Sequence, residues 1–311
     1  DPAAGDRFIH RTPKSLSLDS SFLVMVPSVE ISPSVYMPML SFGICNHSLF
    51  LSLGGRGLDT AFDYGNATQR EVGAAIAASG LPRSEIFVTT KIPCCPSAFV
   101  ASSTYSDHCH VRRSPEQTAA DIAADLELLG LSYVDAMLMH WPCDSTADTV
   151  ATWRVLESLV FDGRARAIGM SNFNSTAIDN LMPHVRVKPA LNQCGFSIAG
   201  HSGNLYRNQT WGRDDATLDR CRALGITYFA YSPLGGWALG GTSHVLQDPT
   251  VLAVAASHNR TAAAVALRWV VQQDIPIVTS SDKEEYDLDD IRSVFNFSLS
   301  GAEMSLLAAV R

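Results

Sequence analysis

Short runs of apolar and β-branched residues alternate with segments of helical period along almost the whole chain, the pattern that successive βαβ units produce. Candidate strands are Met39–Gly43, Gly57–Ala61, Ile86–Lys91, Ala136–Trp141, Ala167–Ser171, Ala190–Cys194, Thr227–Ser232 and Ile275–Thr279. Eight parallel strands suggest a closed barrel, so the expected fold is α/β, a (β/α)8 TIM barrel in a single domain. Helical period predicts Gln69–Ala78, Pro115–Leu129, Ala147–Phe161, Asp215–Leu224 and Ala262–Gln272. The second of these has the clearest ends: Ser114 as N-cap, Pro115 in the first turn, Gln117 at the capping-box position and Gly130 after the last turn. Its Ile122, Leu126 and Leu129 fall on one face and should pack on the barrel wall.

Two stretches break the rhythm. Residues 1–36, rich in Ser and Pro, read as an extended arm or hairpin ahead of a barrel that occupies 37–311. Residues 93–114 lack a helical period and should form a long loop over the active site. A chain of 311 residues could make two domains, but α/β barrels reach this length as one.

With 46% hydrophobic and 17% charged residues the chain can bury a large core. Its net charge of −8 argues against a nucleic-acid surface. No apolar run reaches the length of a membrane-spanning helix. Seven cysteines, an odd number spread over the chain, do not read as a disulfide framework, so a reducing, cytoplasmic setting is expected, with an organelle lumen as the alternative. Six Asn-x-Ser/Thr sequons, at Asn46, Asn66, Asn174, Asn208, Asn259 and Asn296, would be glycosylation acceptors only in a secreted chain. The chain begins at Asp1, so no targeting peptide can be read from it.

Candidate chemistry lies in four passages, each at or just past the carboxyl end of an expected strand: Leu58-Asp-Thr-Ala-Phe-Asp-Tyr-Gly-Asn66, Val88-Thr-Thr-Lys-Ile92, Leu138-Met-His-Trp-Pro142 and Gly169-Met-Ser-Asn-Phe173. That face of an α/β barrel is where the βα loops converge and catalysis gathers. Asp59, Lys91 and His140 come from three successive strands, and Tyr64 from the loop after the first. Taken singly, the Lys reads as a snorkelling strand end, the Asp-Thr pair as a turn, the His as a core residue and the Tyr as a turn aromatic. Taken together on one face, they read as a site.

At these residues the chain resembles the aldo-keto reductase family. The resemblance runs from about Met37 to the end, and includes Leu129-Gly-Leu-Ser-Tyr-Val-Asp135, Gly163-Arg-Ala-Arg-Ala-Ile-Gly-Met-Ser-Asn-Phe173, Asn192-Gln193 and Tyr231-Ser-Pro-Leu-Gly235. It implies an NAD(P)H-dependent oxidoreductase that reduces a small aldehyde or ketone to an alcohol. Such a reaction needs a hydride at carbon and a proton at oxygen. A tyrosine is a poor acid at neutral pH, and a nearby ammonium favours its phenolate. On this resemblance Tyr64 is the proton donor, Lys91 tunes it, Asp59 keeps Lys91 charged and His140 hydrogen-bonds the carbonyl oxygen. The same resemblance implies that Ser171, Asn172 and Gln193 hold the nicotinamide carboxamide and that Tyr231 stacks on the ring. Ser232, Leu234 and Gly235 match the loop over the pyrophosphate.

Three departures from the family pattern stand out. Where NADP-preferring members carry Pro-Lys-Ser and then Arg for the 2′-phosphate, this chain has Ser280, Ser281 and Lys283 amid acidic residues. NADP is the expected cofactor, with NAD as an alternative. Between Cys45 and Gly55 the chain is too short for a full first barrel helix, so either the helix is truncated or residues are missing there. The loop 93–114 contains Cys94-Cys95 and His108-Cys-His110, whose spacings are not those of structural zinc sites, so no metal is expected and an unligated substrate loop is preferred over a disulfide. The rival to catalysis is a non-catalytic binding or scaffold subunit on the same barrel. A small carbonyl compound is the expected partner; a protein partner is not readable.

Overall fold

The computed structural model describes residues 26–44, 46–94, 114–201, 212–235, 244–281 and 283–310. An antiparallel pair, β1 (Ser28–Ser32) and β2 (Val35–Pro38), precedes eight parallel strands. These are β3 (Leu40–Phe42), β4 (Gly57–Asp59), β5 (Phe87–Ile92), β6 (Val134–Met139), β7 (Ala165–Ser171), β8 (Leu191–Gly195), β9 (Thr227–Tyr231) and β10 (Ile277–Thr279). They pair in sequence order, and β10 closes on β3, giving the expected (β/α)8 barrel.

All eight expected strands are present, with ends displaced by a few residues. The largest displacement is in β6, which starts at Val134 and stops at Met139, so His140 and Trp141 lie beyond the ladder. Pro142, which has no N–H to give a ladder, follows directly.

The helix α3 (Pro115–Leu129) has the ends its sequence predicts. Ser114 Oγ accepts from Gln117 N at 3.2 Å, the Gln117 side chain accepts from Ser114 N at 2.9 Å, and Gly130 closes it at φ 64°. Ile122, Leu126 and Leu129 are buried against the barrel. The expected helices at α2 (Asn66–Ala78), α4 (Thr146–Phe161), α6 (Asp215–Leu224) and α8 (Ala262–Val271) are also present. Sequence period did not reveal α5 (Ser175–Leu181), α7 (Pro249–His258), α9 (Glu284–Ser293) or α10 (Gly301–Ala308). In α9 only Asp287, Asp290 and Ile291 are buried, so no apolar stripe marks it.

The short region before Gly55 holds a six-residue helix, α1 (His47–Ser52), capped by Asn46, whose Oδ1 accepts from Leu49 N at 3.1 Å. Phe50 fills the place of a longer helix by stacking on Phe42 at 4.0 Å. A Cβ at Gly55 would fall 2.3 Å from the Phe50 ring, which ties that glycine to the packing.

The core has two parts. The larger lies between strands and helices; the smaller fills the barrel with Phe87, Leu138, Leu191 and Phe229 and includes Ile31, Val35 and Met37 of the hairpin. The hairpin therefore packs against the barrel's apolar filling, and the polar residues of the strand ends lie at the carboxyl mouth.

Candidate active site

At that mouth lies a cavity of about 380 Å³. Its lining includes Asp59, Tyr64, His140, Trp141, Ser171, Asn172, Gln193, Arg213, Tyr231, Ser232 and Ser280. Strand register brings the expected acid–base residues together. Lys91 lies opposite Leu138 on the neighbouring strand, and His140 N donates to Ile92 O at 2.9 Å. Lys91 Nζ donates to Asp59 Oδ1 at 2.6 Å and to Thr60 O at 2.9 Å. Lys91 is 0% exposed, so its charge is held by partners and not by water. The ammonium also sits 5.4 Å from the centroid of the Tyr64 ring.

Tyr64 ends a 3₁₀ turn, Phe62–Tyr64, that leads into α2 through Gly65 at φ 101°, a backbone region that favours glycine. The His140 ring is stacked on Trp141 at 3.7 Å and meets Tyr64 edge-on at 5.8 Å. Burial pulls the His140 pKa below its ordinary value. The neighbouring Asp63 opposes that by charge and by hydrogen bond; Lys91 lowers the pKa further and Asp59 raises it.

Beneath Lys91 lies a buried polar network. Thr60 Oγ1 donates to Gln69, whose amide N–H groups reach Asp125 and, at 3.3 Å, Thr90 Oγ1. Thr90 Oγ1 donates to Asp125 Oδ2 at 2.8 Å. Burial raises the Asp125 pKa to about 7, against the hydrogen bonds of Gln69 and Thr90.

The residues expected at the nicotinamide form one hydrogen-bonded wall. Asn172 Nδ2 donates to His140 O at 3.0 Å and to Ser171 Oγ at 3.1 Å, and Ser171 Oγ donates to Gln193 O at 2.9 Å. Gln193 Nε2 donates to Asp59 Oδ2 at 2.6 Å, which joins this wall to the Lys91–Asp59 pair. Tyr231 Oη donates to Asn172 Oδ1 at 2.9 Å and accepts from Arg213 Nε and Nη2 at 3.0 and 2.6 Å. Asn172 and Ser232, both lining the cavity, hold left-handed backbone at φ 61° and 51°, conformations that non-glycine residues keep only where their surroundings enforce them.

This donor set suits a carboxamide. Gln193 gives its N–H to Asp59, which leaves its amide oxygen as the acceptor, and Ser171 and Asn172 present polar side chains to the same cavity. Leu234 packs on the core, and Gly235 closes a turn from Ser232 O at 2.8 Å. The expected 2′-phosphate residues are less well gathered. Ser280 lines the cavity with its Oγ bonded to Ile44 O at 2.6 Å, but Ser281 pairs with Lys283 N at 3.0 Å. Lys283 caps α9 and places Nζ 4.8 Å over the Tyr286 ring, outside the cavity lining.

Sequence reasoning missed Asp63 and Arg213. Asp63 stands beside Tyr64 inside a quoted motif, and only the fold shows that its side chain faces His140. Arg213 precedes α6 in a stretch that no motif covers. The cysteine reading needs correction: Cys94 and Cys143 form a disulfide, each three residues after one of the expected site residues, Lys91 and His140, whereas Cys194 and Cys221 are free and buried. Odd count and irregular spacing conceal the pair because only the barrel register brings the two loops together. Cys45 and the segment 95–113, with His108, Cys109 and His110, lie outside the described residues. Among the described residues no cluster of metal-ligating side chains occurs, and no helix is long and apolar enough to cross a membrane.

The profile of the Aldo/keto reductase family matches residues 47–311. A morphine 6-dehydrogenase of Pseudomonas putida is 34% identical over 297 residues, covering 90% of each chain. An aldo-keto reductase of Mycolicibacterium smegmatis is 35% identical over 292 residues, covering 91% of this chain and 90% of its own. Among solved structures, an aldo-keto reductase from a Medee basin deep-sea metagenome library superposes with a TM-score of 0.76 at 28% identity, covering 91% of this chain and 94% of its own. One from Brucella melitensis gives 0.75 at 28%, covering 93% and 99%. The chain belongs to the aldo-keto reductase family, whose members are NAD(P)H-dependent enzymes of carbonyl reduction.

Proposed function

We propose that the protein reduces a small aldehyde or ketone, with Tyr64 as the proton donor to the carbonyl oxygen. The observation that carries this reading is the placement of a dry Lys91–Asp59 pair behind Tyr64, with His140 beside it, in the same cavity as Ser171, Asn172 and Gln193. A nicotinamide cofactor held against that amide wall supplies the hydride that the reduction requires. Everything else is supplied by the chain. Lys91, 5.4 Å from the Tyr64 ring, favours the phenolate that remains once Tyr64 has given up its proton. Asp59 fixes Lys91 on one side and Gln193 on the other, so one carboxylate sets both the acid and the carboxamide acceptor.

NADP is the cofactor we favour on family grounds, with weaker discrimination against NAD than the family norm, because Ser280 and Ser281 stand where a phosphate-binding cation is expected. Tyr64→Phe tests the reading. It should keep NADPH affinity, followed by tryptophan fluorescence, and lose roughly 10² or more in kcat, the usual range for a general acid. Undiminished turnover would return Tyr64 to a structural role. Fluorescence that ignores both NADPH and NADH would favour the scaffold alternative.

A further inference from the structure

Asp63 has no part in the reading above, yet it is 0% exposed and its Oδ1 lies 2.8 Å from His140 Nδ1. A carboxylate so placed is matched to the ring nitrogen that faces away from the cavity, and this decides what the other nitrogen can do. We propose that Asp63 is a positioning residue that holds one proton against His140 Nδ1, so that Nε2 donates to the substrate's carbonyl oxygen only when the Asp63–His140 pair carries a second proton. The inference rests on the carbonyl-reduction reading for its consequence, although the pair itself does not.

The argument is a count of protons. With one proton shared by carboxylate and ring, that proton lies between Nδ1 and Oδ1, and Nε2 presents a lone pair that accepts and cannot donate. A carbonyl oxygen also only accepts, so this state gives it nothing. With two protons, one stays in the Nδ1–Oδ1 contact and the other sits on Nε2, whichever of the two partners the bridging proton belongs to. The ring cannot exchange its nitrogens to escape this, because it is stacked on Trp141 at 3.7 Å and edged by Tyr64 at 5.8 Å. His140 therefore helps the reaction in the protonated pair and ceases to help as pH rises.

Among the described residues, the groups that face the pair come from three elements. Asp59 and Tyr64 stand on β4 and its following turn, Lys91 on β5, and Asp125 on α3 feels the charge of Asp63. Asp59 supports the second proton and Lys91 opposes it. Removing the Asp63 charge leaves burial and Lys91 without their main counterweight, so the pair should lose its second proton at lower pH.

Two measurements on the full chain test this. The first compares wild type and Asp63→Asn for NADPH affinity, kcat and KM across pH. The variant should bind NADPH within about twofold of wild type, while the alkaline limb of kcat moves down by about one unit where the amide oxygen accepts from Nδ1, or is lost where the amide N–H donates to Nδ1 and leaves the proton on Nε2. An unmoved limb would overturn the proposal. The second is 15N NMR of the histidine rings in wild type, which needs neither activity nor a variant that folds. The expected result is a His140 ring protonated at Nδ1 throughout, with Nε2 gaining its proton only on the acid side. A ring with Nε2–H and bare Nδ1 at alkaline pH overturns the proposal. If wild type reduces no carbonyl compound with either cofactor, the proposed function fails, and the ring spectrum alone decides the pair.

Discussion

The Lys91–Asp59 pair invites a test of how dry the site is. At the observed 2.6 Å and an effective dielectric of about 20, the attraction between the two charges is about 6 kcal/mol, most of which offsets their desolvation. Asp59→Asn removes one charge with little change of shape; its single amide oxygen can accept from Lys91 or from Gln193 but not replace both carboxylate oxygens, and the ammonium stays at 0% exposure with no counter-charge from position 59. Breaking a buried pair from one side costs about 3–5 kcal/mol. For 311 residues the unfolding entropy is roughly 0.65 kcal/mol per kelvin, so the melting temperature should fall by about 5–8 °C at pH 7. Calorimetry on wild type, Asp59→Asn, Lys91→Met and the double variant Asp59→Asn/Lys91→Met measures this. The double variant, with both charges gone, should lose clearly less than the sum of the single losses. A single variant melting within 2 °C of wild type, or additive losses, would show that water reaches the ammonium, and the account of how Tyr64 is tuned would fall with it.

Two further outcomes follow from the same geometry. Competitive titration should find NADPH favoured over NADH by less than about a hundredfold, or 2.7 kcal/mol, because Lys283 is turned to Tyr286; stronger discrimination would show that another cation grips the 2′-phosphate. Asp125, with its folded pKa raised to about 7, takes up protons on folding between about pH 4 and 7, so its contribution is full below that window and is lost as pH rises through 7. Asp125→Asn should therefore flatten the fall in melting temperature between pH 4 and 8, a span worth on the order of 4 kcal/mol, and parallel curves for the two proteins would refute it.

The strands were legible because each is a short buried run bounded by polar or glycine turns, and α3 because both its ends carry local hydrogen-bonding signals. Helices such as α9 were not, since their burial depends on neighbours that a single segment does not reveal. At the site, Asp59, Lys91 and His140 stood out by residue type at or just past strand ends, and Tyr64 in the turn after the first of those strands. The contact of Asp63 with His140 spans 77 positions, and that of Gln193 with Asp59 spans 134. Such pairings arise from barrel closure, and no local pattern encodes them.

The bond between Cys94 and Cys143 changes what kind of polymer this is. In the oxidised chain it makes the span between them, including α3 and β6, a covalent ring whose two ends stay joined when the barrel unfolds. A ring of about fifty residues forfeits conformational freedom worth about 4 kcal/mol in the unfolded chain by the loop-closure relation. The strands that bring Lys91 and His140 to the mouth thus stay tethered when the oxidised chain unfolds, which shortens the search by which this part of the barrel refolds.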